Sequence, residues 1–208
     1  DDGKTYETSL FVVDIPADVD VTTADSGGPE RYPTPPKGTA IRRLTHTWAG
    51  GTVRGSEDGK QIAYHAKAPD GTTQVFVIAS DGSDQSPDLE KQPKQATFLP
   101  EGSADGIRWH PSGNTVFSFS NNGIVATCVK PGPLFGRSMF LTPQGDSPER
   151  IKLTNSQDGT MLAFDKAMPT KGADGKIVKA FDGTDILQIF TLPFPDKDGD
   201  GIVDGLGE

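Results

Sequence analysis

The sequence lacks most of the features that assign a catalytic function directly. It contains no Gly-x-Ser-x-Gly elbow, no phosphate-binding loop and no dinucleotide-binding fingerprint, and no pair of carboxylates has a spacing that implies acid–base catalysis. Its single cysteine, Cys128, excludes a disulfide within the chain. This cysteine lies in "GIVATCVKP" with the spacing of a strand, which favours a buried small side chain over a reactive thiol.

Long apolar runs and basic charge are also missing. No window has the i, i+3, i+4, i+7 rhythm of a long helix, and no run approaches the roughly 18–20 apolar residues of a membrane span. The net charge of −9 argues against nucleic-acid binding and is compatible with calcium binding. The chain has no signal peptide and opens "DDGKTYETSLFVVDIP" without methionine, so we expect a processed or trimmed piece and a periplasmic or extracellular location.

Turn residues, in contrast, are abundant and recur in a repeat. The chain has 25 glycines and 17 prolines, and only 33% of its residues are hydrophobic, which favours many short strands. Three polar turns, from Ser56, His110 and Ser156, each precede an apolar run, and they begin 54 and then 46 residues apart. A strand-rich repeat of about 40–50 residues is typical of a β-propeller with four strands per blade. An antiparallel sandwich with coincidental spacing is the alternative.

Each part of a propeller blade can be assigned to a segment. The turns contain Gly59, Gly113 and Gly159, which supply the positive φ of a hairpin between the innermost strand A and strand B. Strand C is predicted in four segments: "SLFVVDIP", "TQVFVIASDG", "GIVATCVKPG" and "ILQIFTLPFPD". Outer strand D is predicted in three segments: "IRRLTHT", "PKQATFLP" and "ERIKLTN". Unequal numbers of C and D strands do not close a ring, so we expect an all-β, incomplete arc or fragment of a larger propeller, built from four-stranded antiparallel blades.

This assignment divides the chain into consecutive blades. The predicted divisions are a partial blade at 1–47 with a flexible insertion at 16–40, a blade at 48–100, a blade at 101–155, a partial blade at 156–195, and an Asp-rich calcium-type loop at 196–208. A linker between domains is the alternative for 16–40. A second insertion, 166–185, is predicted to form a small hairpin and is the candidate for a functional lid.

The turns and outer strands resemble the TolB-like (WD-type) β-propeller repeat, whose motif is a tryptophan followed by Ser-Pro-Asp-Gly and an apolar strand. Trp109 to Gly113 is the closest copy, whereas the other turns have Gly55 and Asn155 in place of the tryptophan. The resemblance covers most of the chain from about residue 41. It implies the propeller fold and no single activity, because the repeat occurs in periplasmic scaffolds, peptidase gating domains and polysaccharide lyases.

The end of the chain, "DKDGDGIVDGLGE", has the spacing of a calcium loop. Carboxylates stand at loop positions 1, 3, 5 and 9, namely Asp196, Asp198, Asp200 and Asp204. Gly207 occupies position 12 in place of the glutamate of an EF-hand, and no helix pattern flanks the loop. The segment is similar to the calcium loops of thrombospondin type-3 and dockerin-like repeats. Bound calcium is therefore predicted, and a solvated acidic turn is the alternative.

Two arginines and two histidines are the candidate ligand-binding residues. Arg54 and Arg108 occupy equivalent positions in strand A, where the third repeat has Thr154. If strand A lines the channel, their guanidiniums converge on the axis and suit a carboxylate or phosphate; ion pairs between blades are the alternative. His46 and His65 are predicted to share one face of the disc, while His110 lies in a turn on the opposite face.

The sequence thus favours a non-enzymatic propeller that binds a partner protein or a small anionic ligand, with no catalytic residues. One alternative is a lyase or hydrolase acting on acidic carbohydrates, since oligogalacturonate lyases share this propeller type; a histidine-bound metal at the axis would indicate it. A third possibility is a structural subunit of a larger assembly. Its blade ends would pack on another chain, or on the remaining blades of the same propeller, through Phe11, Val13, Ile189 and Phe190.

Overall fold

The computed structural model describes residues 7–207, of which about 40% are strand and 3% helical. The helical residues form two single 3-10 turns, Val21–Thr23 and Leu89–Lys91. No helix in the described part of the chain is long and apolar enough to cross a membrane. The strands are β1 Phe11–Asp14, β2 Ala40–Arg43, β3 Ala49–Gly55, β4 Gln61–Lys67, β5 Thr73–Ala79, β6 Lys94–Gln95, β7 Ala104–Trp109, β8 Thr115–Ser120, β9 Gly123–Cys128, β10 Ser138–Phe140, β11 Arg150–Asn155, β12 Met161–Met168, β13 Thr170–Lys171, β14 Ile177–Val178 and β15 Ile186–Pro193.

These strands form a row of antiparallel sheets, which we number as blades in chain order. The first blade is β1–β2, the second is β3 to β6 and the third is β7 to β10; the fourth has three strands in the order β11-β12-β15. Within residues 7–207 no sheet joins the first blade to the fourth. The fold class is therefore as predicted: all-β, with four-stranded antiparallel blades in an open arc.

The three glycine turns are the hairpins that the repeat predicts. Gly59, Gly113 and Gly159 have φ values of 71°, 75° and 78°, in the region that glycine adopts without a Cβ clash. Each donates its N–H to the carbonyl of the first residue of the turn, at 3.0, 2.9 and 3.1 Å respectively. Local turn chemistry thus sets the same strand-to-strand connection in three successive blades.

One strand assignment is wrong. The segment "ERIKLTN" was expected to be the outer strand of the third blade, but β11 pairs with β12, with Arg150 opposite Lys166 and Asn155 opposite Leu162. It is therefore the innermost strand of the fourth blade. In this copy of the repeat the Leu-Thr pattern is followed directly by the glycine turn. The chain therefore has no room there for a connection from an outer strand to a separate inner strand. The outer strand of the third blade is instead β10, whose three residues are too few to show a pattern.

Three hydrophobic cores lie between neighbouring blades. Alternate residues of β4 face opposite ways: Tyr64 packs towards the first blade and Ala63 towards the third. Every residue of β8 and β9 is buried, because blades cover both faces of this sheet. Cys128 is among them, as predicted, and burial raises the pKa of its thiol. The core between the third and fourth blades also takes in Phe194 and Val203, which follow the last strand.

The two ends of the arc expose apolar side chains. Phe11 on the first blade is 52% exposed and Ile189 on the fourth is 76% exposed. Phe190 differs from the expectation of an exposed end, because it is partly buried and its ring stacks on Phe164 of the last core with 5.7 Å between centroids. The connection after β12 carries the predicted small hairpin, β13–β14. The connection between β1 and β2 contains one 3-10 turn and one isolated bridge, between Gly28 and Arg31.

Candidate ligand cleft and candidate metal centre

The inner strands β3, β7 and β11 lie side by side and share an irregularity. Each breaks register with the second strand of its blade. The breaks lie between Gly50 and Arg54, between Ala104 and Arg108, and between Ile151 and Thr154. A residue with positive φ lies within each break: Gly51 at 67°, Gly106 at 98° and Lys152 at 57°. Such bulges bend a strand and re-aim its side chains, so the repeat gives all three inner strands the same local shape.

Directly after these bulges come the two predicted arginines. Arg54 lies opposite Ala63 and Arg108 opposite Phe117, while Thr154 takes the same place opposite Ala163 in the fourth blade. Each arginine donates its Nη1 to the carbonyl of the preceding residue, at 2.8 Å in the second blade and 2.7 Å in the third. The matching register and hydrogen bonds make the two guanidiniums structurally equivalent.

Two cavities flank these arginines, and together we call them the inner cleft. One, of about 430 Å³, reaches the side of the B–C and D–A connections; the other, of about 370 Å³, reaches the side of the glycine turns. Arg54 and Arg108 line both cavities. The first cavity is also lined by Arg150, Lys152 and Glu149. Basic groups therefore outnumber acidic groups in this cavity of an otherwise acidic chain.

Arg150 is a cleft residue that the sequence did not single out. Its side chain is only 5% exposed, and its Nη1 donates to the Asn122 carbonyl at 2.5 Å. Its Nη2 bonds Asp146 at 2.7 Å, and Lys166 bonds the same carboxylate oxygen at 3.0 Å. These two cations lower the pKa of Asp146, with the Lys166 hydrogen bond as the larger cause. Since the partners are up to 28 positions away in the chain, no local pattern marks this arginine.

The predicted histidine pair has separate partners. His46 Nδ1 lies 2.7 Å from an Asp84 oxygen, and its backbone N–H donates to the same carboxylate. His65 is buried, and its Nε2 lies 3.3 Å from the Ser103 hydroxyl. Neither histidine lines the inner cleft.

His110, expected on the opposite face, lines the turn-side cavity of the cleft. It is buried against Phe194, with 5.1 Å between ring centroids, and its Nδ1 lies 2.8 Å from the Ser112 hydroxyl. Burial lowers the pKa of its imidazole, although the charge of Asp196 and a hydrogen bond to the Gly159 backbone oppose that effect.

The Asp-rich loop brings three of its four predicted ligands together. Carboxylate oxygens of Asp196, Asp198 and Asp204 lie within 4.8 Å of one another, so this cluster can hold a metal ion. The Asp200 carboxylate is turned elsewhere: it accepts the Ile202 N–H at 2.8 Å and lies 3.9 Å from Lys130 Nζ. Within the described residues this is the one group of three or more candidate metal ligands that lie this close together.

Comparisons with known proteins give distant similarities. No protein-family model matches the chain. The uncharacterized protein YidR of Escherichia coli (strain K12) is 27% identical over 175 residues, which cover 74% of this chain and 38% of that protein. TolB from Acinetobacter baumannii aligns with a TM-score of 0.46 at 19% identity, covering 74% of this chain and 35% of TolB. A putative TolB from Agrobacterium tumefaciens has a TM-score of 0.46 at 18% identity, covering 76% and 51% of the two chains. A gluconolactonase from Xanthomonas campestris has a TM-score of 0.40 at 18% identity, covering 64% and 39%.

The chain thus spans well under two thirds of the length of the relatives that it matches. Because the sequence identities and TM-scores are low, the description of the fold depends only on the strands and cores of this chain.

Proposed function

We propose that the chain is a non-enzymatic β-propeller binding module whose inner cleft holds a small anionic ligand. The observation that carries this proposal is the convergence of Arg54, Arg108 and Arg150 on one cavity in a chain of net charge −9. The three residues lie on three successive inner strands, β3, β7 and β11. The repeat accounts for the equivalent positions of Arg54 and Arg108, whereas Arg150 is held by contacts with Asn122 and Asp146.

The chemistry of this cavity suits a carboxylate or a phosphate. Arginine presents a planar fork of N–H donors that matches two oxygens of such a group. In Arg54 and Arg108 one arm of the fork is anchored on the backbone, which fixes the direction of the rest of the head group. A carboxylate or phosphate that binds these guanidiniums accepts charge-assisted hydrogen bonds, which are stronger than neutral ones.

Calorimetric titration with citrate, inorganic phosphate and galacturonate oligomers tests this site. We expect at least one of these anions to bind, and Arg54→Ala or Arg108→Ala to weaken its binding about tenfold or more, the loss typical of a hydrogen bond to a charged group. Arg31→Ala is the matched control, because Arg31 pairs with Asp25 in the connection between β1 and β2. Equal affinity in all three variants would place the anion elsewhere. Turnover of the oligomers would favour the carbohydrate lyase or hydrolase alternative.

We propose further that Asp196, Asp198 and Asp204 bind calcium. Calcium takes oxygen ligands, and three carboxylates held this close repel one another unless a cation lies between them. Asp196 is oriented by the N–H groups of Gly199 and Gly201, each at 2.8 Å. The Asp204 Oδ2 atom is buried and accepts no hydrogen bond from residues 7–207; its neighbour is the exposed Lys197 ammonium at 3.9 Å, which a bound ion would displace. Asp200, the fourth predicted ligand, would join only after rotating away from Ile202.

A protein partner is a second candidate ligand, and the exposed ends of the arc favour it. Phe11, Val13 and Ile189 are each at least half exposed, and apolar sheet faces of this kind are usually covered. We propose that either the remaining blades of the same propeller or another chain packs on them. The resemblance to a repeat of periplasmic scaffolds leads us to propose a periplasmic or extracellular location.

A further inference from the structure

Gln61 and Thr115 occupy the same position in two successive blades. Gln61 begins β4 and lies opposite Ala79, while Thr115 begins β8 and lies opposite Cys128. Each directly follows a glycine turn, and each backbone carbonyl accepts the N–H of the first residue of that turn at 2.8 Å. Both side chains lie on the face that packs against the following blade. They mark equivalent grooves, one between the second and third blades and one between the third and fourth.

At Thr115 the groove is filled by the chain's own C-terminal segment. The Thr115 hydroxyl donates to the Gly201 carbonyl at 2.7 Å, and the neighbouring Asn114 amide donates to the Asp200 carbonyl at 2.7 Å. Ile202 and Val203 follow directly and are buried. A bent stretch with the pattern Asp-Gly-Ile-Val, in which Gly201 has a φ of 77°, therefore covers this groove. Its backbone carbonyls accept hydrogen bonds from the polar groups at the edge, while the Val203 side chain joins the core.

At Gln61 the equivalent groove is open. Two adjoining cavities of about 320 and 250 Å³ lie there, and both are lined by Gln61, Val129 and Pro131. The larger cavity is lined by the apolar side chains of Val77 and Phe135 on one hand and by Glu90, Gln92 and Lys94 on the other. The Gln61 Oε1 atom is buried and accepts no hydrogen bond from residues 7–207. A buried amide oxygen without a donor is unfavourable, and it is the counterpart of the Thr115 hydroxyl that the C-terminal segment satisfies.

We propose that this open groove binds a bent segment of a partner protein with the chemistry of Gly201 to Val203: a glycine followed by two β-branched apolar residues. A backbone N–H of the segment donates to Gln61 Oε1. One apolar side chain enters the space lined by Val77, Val129 and Phe135. Lys60 replaces Asn114 at the edge, where its Nζ lies 3.4 Å from an Asp58 oxygen. The site is separate from the inner cleft, because Gln61 lines neither of the cleft cavities.

The test uses the full chain and a synthetic peptide, DGDGIVDG, taken from the C-terminal segment. NMR titration is expected to show saturable shifts at Gln61, Ala79 and Val129. A control peptide with serines in place of the isoleucine and valine is expected to bind at least about tenfold more weakly, because it loses the apolar burial. Shifts confined to Thr115 and Phe194 would mean that the peptide only displaces the chain's own segment, which overturns the proposal, as does the absence of binding.

A glutamine substitution separates a ligand-binding role from a structural one. Gln61→Leu is expected to weaken peptide binding about fivefold or more through the lost hydrogen bond, without lowering the melting temperature, because it removes an unsatisfied buried acceptor. Gln95→Leu is the matched control: its amide donates to the Thr97 carbonyl at 2.8 Å outside the groove. We expect that variant to bind the peptide as the parent does. Unchanged affinity in Gln61→Leu, or a lower melting temperature with no change in affinity, contradicts the proposal.

Discussion

The two interfaces that flank the third blade are closed by different residues. Between the second and third blades, Trp109 is 7% exposed and its indole N–H donates to the Arg54 carbonyl at 2.9 Å. Between the third and fourth blades the equivalent position is Asn155, and the aromatic contribution comes from Phe194, which follows the last strand. Phe194 packs edge-on against Phe117, with 5.2 Å between ring centroids. A segment outside the repeat thus supplies apolar burial where the repeat has lost its tryptophan.

This difference also explains why one of the two equivalent grooves is open. The tryptophan fills the interface close to the inner strands and leaves the edge near Gln61 uncovered. In the next interface the chain turns back after Phe194, and the returning segment covers the edge with Ile202 and Val203. Repeat proteins gain stability from contacts between neighbouring units, so the two interfaces should respond differently to changes in the C-terminal segment.

The largest effect is expected from removing the aromatic ring that closes the second of these interfaces. Phe194→Ala should lower the free energy of unfolding by about 3–5 kcal/mol, the range for truncating a buried phenylalanine. Urea unfolding followed by circular dichroism measures it. Phe181→Ala is the control, since Phe181 is 109% exposed in the insertion before β15 and should change stability little. Similar losses in both variants would show that the C-terminal segment does not contribute to the core.

A smaller effect is expected from calcium, and it should act on the same interface. If the ion binds the folded segment alone, calcium at about 100 times its dissociation constant should raise the free energy of unfolding by about 2.7 kcal/mol. Asp198→Asn should abolish most of this increase. Asp182→Asn is the control, because Asp182 lies in another turn, where it accepts bonds from Thr184. The measurement is thermal unfolding with and without calcium. An unfolding midpoint of the parent chain that does not change on addition of calcium would reject the metal site.

The same comparison shows what could be predicted from the sequence. The glycine turns and the strands after them follow from local rules, namely positive φ at Gly59 and alternation of apolar residues in β4. Spacing indicated the carboxylate cluster in part: Asp196, Asp198 and Asp204 come together, but the local turn at Ile202 directs Asp200 elsewhere. The outer strand β10 could not be predicted, since three residues carry no periodicity.

Long-range contacts account for the rest. Thr115 and Gly201 are 86 positions apart, so nothing near either residue indicates that the C-terminal segment covers the third blade. Arg150 is similar: its cavity-lining position depends on Asn122 and Lys166, which approach it only after the blades pack. The Arg54–Arg108 equivalence, in contrast, was visible in the sequence, because it depends on the repeat alone.

The smallest effect concerns His110, which lies where the C-terminal segment meets the third blade. Burial lowers the pKa of its imidazole, so the unfolded chain binds this proton more readily than the folded chain does. The stability that depends on neutral His110 is therefore complete above the ordinary value of 6.5 and is lost as the pH falls below it. One proton changes the free energy of unfolding by at most about 1.4 kcal/mol per pH unit. Urea unfolding between pH 7 and pH 5, on the parent and on His110→Asn, should give a shallower pH dependence in the variant. If the free energy of unfolding depended on pH identically in both proteins, groups other than His110 would cause the loss of stability in acid.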